Sequence, residues 1–425
     1  MTEHATLTLE LLQDAVKTSA AFRCRRRLQP AGGEGDKVFP PTFAGAVYAI
    51  EKRRVPGRED AVQCVLLDSV QSQANRMEQA LQDAIDAKKF FVPHVVVDFS
   101  DHDPIDADSE ANNRLIDAVG KLTSLQVPHR LADAILRDSM LNGTPFRSSE
   151  KGKTLNRVSA ANATPLFEMC PTVLLFGMWD STGPKGGLGA KFERAIVSEV
   201  VGIGAEVADL RRGVRRDPLE IRAAVKVIKN ADKSWRMAHE QEKGGKKVWE
   251  TGATEPSKVN HSSVPFPKQR DKKTEENTYD GVTIEYAEQI TTLSLIVLRR
   301  LRFPIKGVAS DDVDVAGRTV LAALGLAAAT LAFENGMGLR SRCLLWPDGP
   351  MIWELLDRPG QAPKQFAVSS DQAVEVLTQA IQFARDKGLP WPDAPVELKP
   401  SSDLVELVLR SQLEATKEEA DTGGK

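Results

Sequence analysis

The chain of 425 residues carries 56 Lys+Arg against 59 Asp+Glu, a formal net charge of −3, and 41% of its residues are hydrophobic. At about 150 residues per domain this length accommodates two or three units, or one domain with large insertions, and the apolar content excludes global disorder. Taken as a total, so balanced a charge argues against a dedicated polyanion binder, which usually carries a basic surplus. The first residues, from Met1 to Thr6, hold no basic stretch leading into an apolar one, so no signal peptide is expected. The longest apolar run, Thr319 to Phe333, falls short of the roughly 18 residues a membrane span needs and reads as a buried helix. Cys24, Cys64, Cys170 and Cys343 lie far apart without metal-ligand or disulfide spacing. Reduced, buried thiols in a cytoplasmic protein without a membrane role are the expectation.

In chain order, Phe22-Arg-Cys-Arg-Arg-Arg-Leu28 reads as a strand with Arg23, Arg25 and Arg27 on one face and Phe22, Cys24 and Leu28 on the other. Such a row of guanidinium groups can follow successive phosphates, or it can blunt a solvated edge strand. Asp68-Ser-Val-Gln71 has the form of an N-cap with Gln three residues on, opening a helix through Asn75, Arg76, Met77 and Leu81. Phe90–Asp98 and Thr172–Phe176 are short apolar runs bounded by turn residues, as buried strands are. Ile290–Leu301, rich in Thr, Leu, Ile and Val, suits a strand better than a helix. Arg318–Glu334 predicts a helix closed by Asn335-Gly336, and Asp371–Lys387 predicts another ending at Gly388. The tail beyond Lys417 is expected to fray.

Charge is not spread evenly. Arg211–Lys273 holds 17 Lys+Arg and 8 Asp+Glu, a local +9, which leaves −12 on the rest of the chain. The latter part of that segment is rich in Gly, Lys, Ser and Pro and predicts a mobile insertion or a hairpin. A second distinctive segment, Gly177 to Arg194, packs five glycines around Ser181, Thr182, Lys185, Lys191 and Arg194. Glycine lets backbone N–H groups approach a phosphate closely, while Lys and Arg supply charge. The segment matches neither a Walker A loop nor G-x-G-x-x-G, and a polynucleotide backbone suits it better than a nucleoside triphosphate. An ordinary flexible surface loop is the bland alternative. Arg299, Arg300 and Arg302, and Arg340 with Arg342, are weaker basic signals.

Signals for catalysis are thinner. Asp98 to Asp108 crowds carboxylates around His102, and such a loop could hold a hard cation, but it lacks an EF-hand register and reads better as an acidic surface loop. No Ser or Cys occupies a nucleophile elbow. No catalytic residue, metal ligand or cofactor is assigned.

Several stretches together resemble one family: Phe39-Pro-Pro-Thr-Phe-Ala-Gly45, Leu66-Leu-Asp-Ser-Val-Gln-Ser-Gln-Ala-Asn-Arg-Met-Glu78 and Cys170-Pro-Thr-Val-Leu-Leu-Phe-Gly-Met-Trp-Asp-Ser-Thr-Gly183, then Arg194–Glu199, Leu298–Pro304 and Leu339–Cys343. They look like the RAMP-type backbone subunit of the type I-G (formerly I-U) CRISPR surveillance complex, Cascade. The likeness runs from about residue 8 to 358, and Asp68–Arg76 and Trp179–Gly183 are its most specific parts.

The resemblance implies an α+β fold, a ferredoxin-like, RRM-type palm with finger and thumb insertions. On this division residues 1–210 and 281–358 form the palm, 211–280 a basic insertion, and 359–425 a C-terminal helical extension. It also implies a non-catalytic subunit that binds crRNA without reading its sequence and stacks head-to-tail with copies of itself. Its partners would be target DNA, through guide pairing, and other Cascade subunits. Ser69, Gln71, Gln73, Asn75 and Arg76 of the specific stretch join Arg23, Arg25, Arg27, Arg299, Arg300 and the Gly177–Arg194 cluster as expected RNA contacts. The alternatives are a RAMP endoribonuclease processing precursor crRNA and a metal-dependent phosphodiesterase using the His102 loop. The glycine-rich loop of many RAMP proteins is reduced here to Gly336-Met-Gly338, and the aromatic pair of ordinary RRMs is not evident.

Overall fold

A computed structural model describes residues 5–44, 47–104, 115–181, 189–207, 217–230, 234–261 and 281–422. The elements that build the core are helix α1 (Leu9–Thr18) and strands β1 (Ala21–Pro30), β2 (Ile50–Arg54) and β3 (Ala61–Asp68). Helix α2 (Val70–Asp86), strand β4 (Val95–Asp98), the single turn α3 (Val173–Phe176) and strand β5 (Ile196–Ile203) follow. Next come strand β6 (Tyr286–Ser294), helices α4 (Leu295–Arg299) and α5 (Asp311–Glu334), and strands β7 (Met337–Arg340), β8 (Cys343–Pro347), β9 (Ile352–Leu356) and β10 (Lys364–Ala367). Helix α6 (Ser370–Asp386), strand β11 (Val396–Pro400) and helix α7 (Ser402–Thr422) close the chain.

Nine of these strands form one antiparallel sheet with the path β7–β8–β1–β6–β5–β3–β2, while β9 pairs with β1 and β10. The four central strands, β8–β1–β6–β5, are the fourth, first, third and second strands of a βαββαβ unit whose helices are α2 and α5. The fold is therefore α+β with an RRM-like palm, and the β2–β3 hairpin, inserted before α2, extends the sheet beyond β5. β8 and β9 lie on the same side of β1, pairing Leu28 with Pro347 and Ala21 with Leu356. The fourth strand is thus interrupted between them.

Alternation along β1 divides the sheet. Phe22, Cys24 and Leu28 are buried on the helix-covered face, while Arg25 and Arg27 are exposed and Arg23 half-buried on the other, as the period of two requires. Helix α5 lies among the covering elements with Val320, Leu321, Leu324 and Ala327 fully enclosed. By length and composition it could cross a membrane, yet 89% of its most apolar window is buried inside the protein. It is the core helix that its apolar run predicts, begun earlier, at Asp311, by acidic residues that suit a helix N-terminus. Asn335 caps it and Gly336 takes φ +97°, a conformation that costs glycine little. α6 opens on a reciprocal capping box between Ser369 and Gln372. All four cysteines are buried and free.

Four local expectations change. Thr172–Phe176 is not a strand: Val173–Phe176 makes one helical turn, with Phe176 N–H donating to the Thr172 carbonyl at 2.8 Å. A wholly buried apolar run lacks the alternation that separates strand from helix. Of Phe90–Asp98 only Val95–Asp98 pairs; Pro93 has no N–H to give a ladder. Ile290–Leu301 is half strand and half helix, because the Ser294 hydroxyl accepts from Val297 N–H and caps α4. The cap of α2 is Ser69 rather than Asp68, its hydroxyl accepting from Ser72 N–H at 3.2 Å.

A smaller sheet joins β11 parallel to β4, with Lys121–Thr123 on one side and Ser139–Leu141 on the other. The stretch after residue 358 therefore supplies β10 and β11 as well as helices, and α7 runs on through Thr422. The chain divides into two compact units, Met1–Asp101 with Val119–Ala208 and Gly281–Leu404, and His102–Ala118 with Asp209–Asp280 and Val405–Lys425. In the second, the described part of the basic segment forms two short hairpins, Val227–Lys229 with Trp235–Met237 and Glu240–Lys243 with Lys246–Trp249. Gly244 and Gly245 supply the positive φ values (62° and 75°) of the tight turn in the latter.

Candidate nucleic-acid interface

The arginine row of β1 is neutralised within its own sheet face. Arg23 Nη2 lies 2.7 Å from Glu354 of β9, Arg25 Nε 2.6 Å from Glu288 of β6, and Arg27 Nε 3.6 Å from Asp348. The Arg27 guanidinium also stacks 4.1 Å from the Tyr286 ring centroid. β1 lies between β8 and β6 and is not an edge strand. The row is a ladder of matched charges, and a phosphate would have to displace a carboxylate at each rung.

Uncompensated positive charge lies instead at the end of β3. The Asp68 carboxylate has no accessible surface and accepts from Ser72 Oγ at 2.8 Å, Gln73 Nε2 at 2.6 Å, Arg76 Nε at 2.9 Å and Arg340 Nη2 at 3.3 Å. Arg76 also donates to the Leu339 carbonyl at 2.7 Å, tying α2 to β7. Next along the chain Arg342 is exposed, its guanidinium 4.2 Å from the Phe39 ring centroid, while Phe39 N–H donates to the Arg342 carbonyl. One buried carboxylate thus serves two partly exposed arginines, and a third stands on an aromatic ring. Planar guanidinium groups fixed in this way suit phosphate oxygens and carry no base information.

The stretch Ser69–Arg76 splits by helical phase. Gln71 and Asn75 are exposed on α2, Ser69 is the cap, and Arg76 is the bridge to β7. Gln73 is buried: its amide donates to Asp68 while its carbonyl accepts from Ser198 Oγ at 2.9 Å and Gln289 Nε2 at 2.7 Å. Its side chain is spent inside the palm. Arg26 ends the same buried polar seam, donating to Gln289 Oε1, with its guanidinium 3.2 Å from the Phe333 ring centroid and, among the described residues, no hydrogen-bond partner for its Nε and Nη1. Burial pulls its pKa down to about 10.

The glycine-rich segment starts and ends as a small hairpin, Met178 paired with Phe192 and Trp179 with Lys191. Two locks hold its base. The Arg147 guanidinium grips buried Asp180 through two bonds of 2.9 Å, and Arg130 forks onto Glu78 of α2 at 2.6 and 2.7 Å while reaching the Gly177 carbonyl at 3.3 Å. Burial pushes the Glu78 carboxyl up and the Arg130 bonds work against that rise. Gly177 takes φ +83°, and a Cβ there would stand 3.1 Å from the Phe192 carbonyl oxygen. Ser181, Lys191 and Arg194 are exposed; Thr182 and Lys185 lie outside the described residues. α2 therefore connects the two basic sites, through Arg76 at one and Glu78 at the other.

The remaining candidates make intramolecular contacts. Arg299 donates to the Ser19 carbonyl at 2.5 Å, just past the C-terminus of α1, and Arg300 pairs with Glu193. In the acidic loop Asp98 and Asp101 share the Lys399 ammonium at 3.2 and 2.8 Å, and the Ser100 bonds with Lys399 hold the Asp98 carboxyl well below the usual carboxylate range. Among the described residues no three His, Cys, Asp or Glu side chains converge as a metal site. Asp68, Phe39 and Trp179 are not among the expected contacts, although each opens one of the stretches that carry the resemblance: Asp68–Arg76, Phe39–Gly45 and Trp179–Gly183.

Residues 22–207 match a family model described as CRISPR-associated protein GSU0053. Over that stretch, which holds β1 to β5, Asp68 and the 178–192 hairpin, the chain is similar to a CRISPR-associated family. No curated protein matches the chain.

Proposed function

We propose that the chain is a non-catalytic, sequence-independent crRNA-binding backbone subunit of a type I CRISPR surveillance complex, of the RAMP type found in type I-G. One observation carries this reading. Helix α2 of an RRM-like palm, itself inside the CRISPR-matched stretch, links two sites where cations outnumber carboxylates: Arg76 with Arg340 and Arg342, the last two outside that stretch, and Lys191 with Arg194 inside it. A guide must be held by its backbone with its bases free to pair, and guanidinium and ammonium groups meet phosphates without reading bases.

The segregated charge suits a filament. Head-to-tail contacts that do not close make a helix, and the basic segment Arg211–Lys273 facing an acidic surface of the next copy would set its polarity. A single protomer of net charge −3 is then a modest binder, and tight binding comes from many copies sharing one strand. Co-expression with crRNAs of two spacer lengths, followed by native mass measurement, tests this. The expected result is a multimer whose copy number rises with RNA length. A single fixed stoichiometry, or specific cleavage of precursor crRNA by the purified chain, would overturn it.

A further inference from the structure

The register of the 178–192 hairpin leaves an indole outside for no packing reason. Met178 and Phe192 pair and are both buried, so they fill the core side of the hairpin; Trp179 and Lys191, the next pair, must point the other way. Trp179 keeps 55% of its surface exposed, with the Lys191 ammonium 5.6 Å from its ring centroid. A large apolar side chain held outward on a braced hairpin carries an unfavourable hydration cost in the free protein, which is relieved when an apolar or aromatic surface covers it.

The charge around it states what that cover is. Asp180 is saturated by Arg147, Glu78 by Arg130, and Glu193 pairs with Arg300. Among the described residues Lys191 and Arg194 have no ion-pair partner; Lys191 stands against the indole, and Arg194, whose side chain passes beside Gly177 and whose charge acts on Glu78 together with Arg130, is a second exposed cation at the base of the hairpin. An exposed aromatic face beside unanswered cations complements one unpaired nucleotide: base on ring, phosphate on ammonium and guanidinium. A protein partner would have to bring both an apolar face and two carboxylates.

We infer that Trp179 is a base-stacking platform for an unpaired nucleotide of a single strand, with Lys191 and Arg194 receiving its flanking phosphates. This rests on the RNA-binding reading above and adds to it a contact with a base face, blind to base identity because every base has a π-face.

The test compares a short single-stranded RNA with the same oligonucleotide carrying abasic sites, bound to the full chain and to Trp179→Ala, Trp179→Phe and Lys191→Ala/Arg194→Ala. Trp179→Ala should weaken binding of the normal strand about 5- to 150-fold, the range for one stacked base, and barely change the abasic strand. Trp179→Phe should recover most of the loss, and the double variant should weaken both strands alike. Unchanged affinity in Trp179→Ala, or equal losses on both strands, overturns the stacking site while leaving RNA binding in place. Loss of multimerisation on long RNA with unchanged affinity for the short strand would make Trp179 a protein contact and equally overturn it. Failure of the unmodified chain to bind any single strand would overturn the functional reading itself, and this site with it.

Discussion

Asp68 at the end of β3 and Arg340 in β7 stand 272 positions apart in the chain, yet their carboxylate oxygen and guanidinium nitrogen meet at 3.3 Å, with Arg76 on the same carboxylate from the other side. This buried acid decides where two arginines point. Without it they would be long, mobile side chains at a sheet end; with it they form a fixed pair beside Arg342.

Removing that acid should therefore cost far more than a surface charge. Asp68→Ala is expected to lower stability by about 3–5 kcal/mol, since one partner of a buried charge cluster is lost and the others are left unanswered. Asp68→Asn, which keeps an acceptor, should lose less. Denaturant unfolding of the three proteins measures this, and near-equal stabilities would mean the cluster is not the brace described.

Arg342 should separate binding from folding. It is exposed and touches the Phe39 ring, so Arg342→Gln should change stability by no more than about 0.5 kcal/mol. RNA affinity should fall similarly across sequences, and the slope of log affinity against log salt should become shallower by about 1. An unchanged slope would remove Arg342 from the phosphate contacts.

The hairpin depends on a glycine remote from it. A Cβ on Gly152 would lie 1.8 Å from the Phe146 carbonyl oxygen, and the next residue, Arg147, is the one that holds Asp180. Backbone cannot step aside as a flexible side chain can. Gly152→Ala should destabilise by about 1–3 kcal/mol, the range for overpacking, and thermal melting at matched scan rates would reveal it.

One histidine gives stability a pH dependence. His94 is buried, its Nδ1–H donates to the Val92 carbonyl at 2.7 Å, and burial depresses its pKa below the ordinary 6.5. The unfolded chain takes up a proton near pH 6.5 that the folded chain refuses, so this contribution is whole above that pH and shrinks as pH falls through it. The slope is at most about 1.4 kcal/mol per pH unit for one proton. Between pH 7.5 and 5.5, His94→Gln should lose less stability than the unaltered protein; an identical loss in both would exclude His94 as the source.

What the amino-acid order determines alone is what short-range physics can carry. Alternation over Phe22–Leu28, the helix over Asp371–Lys387 with its end at Gly388 and the Asn335-Gly336 stop of α5 were legible, since each depends on neighbours a few residues away. Charge identity was legible too, and charge availability was not. Whether Arg25 is free is settled by Glu288, brought across by sheet register, and whether Gln73 meets solvent is settled by Ser198 and Gln289 closing over it. The run Val173–Phe176 escaped for the same reason, because a fully buried segment records no face in its own sequence. The tertiary structure alone decided which cations remain unanswered, since burial and pairing depend on residues hundreds of positions away.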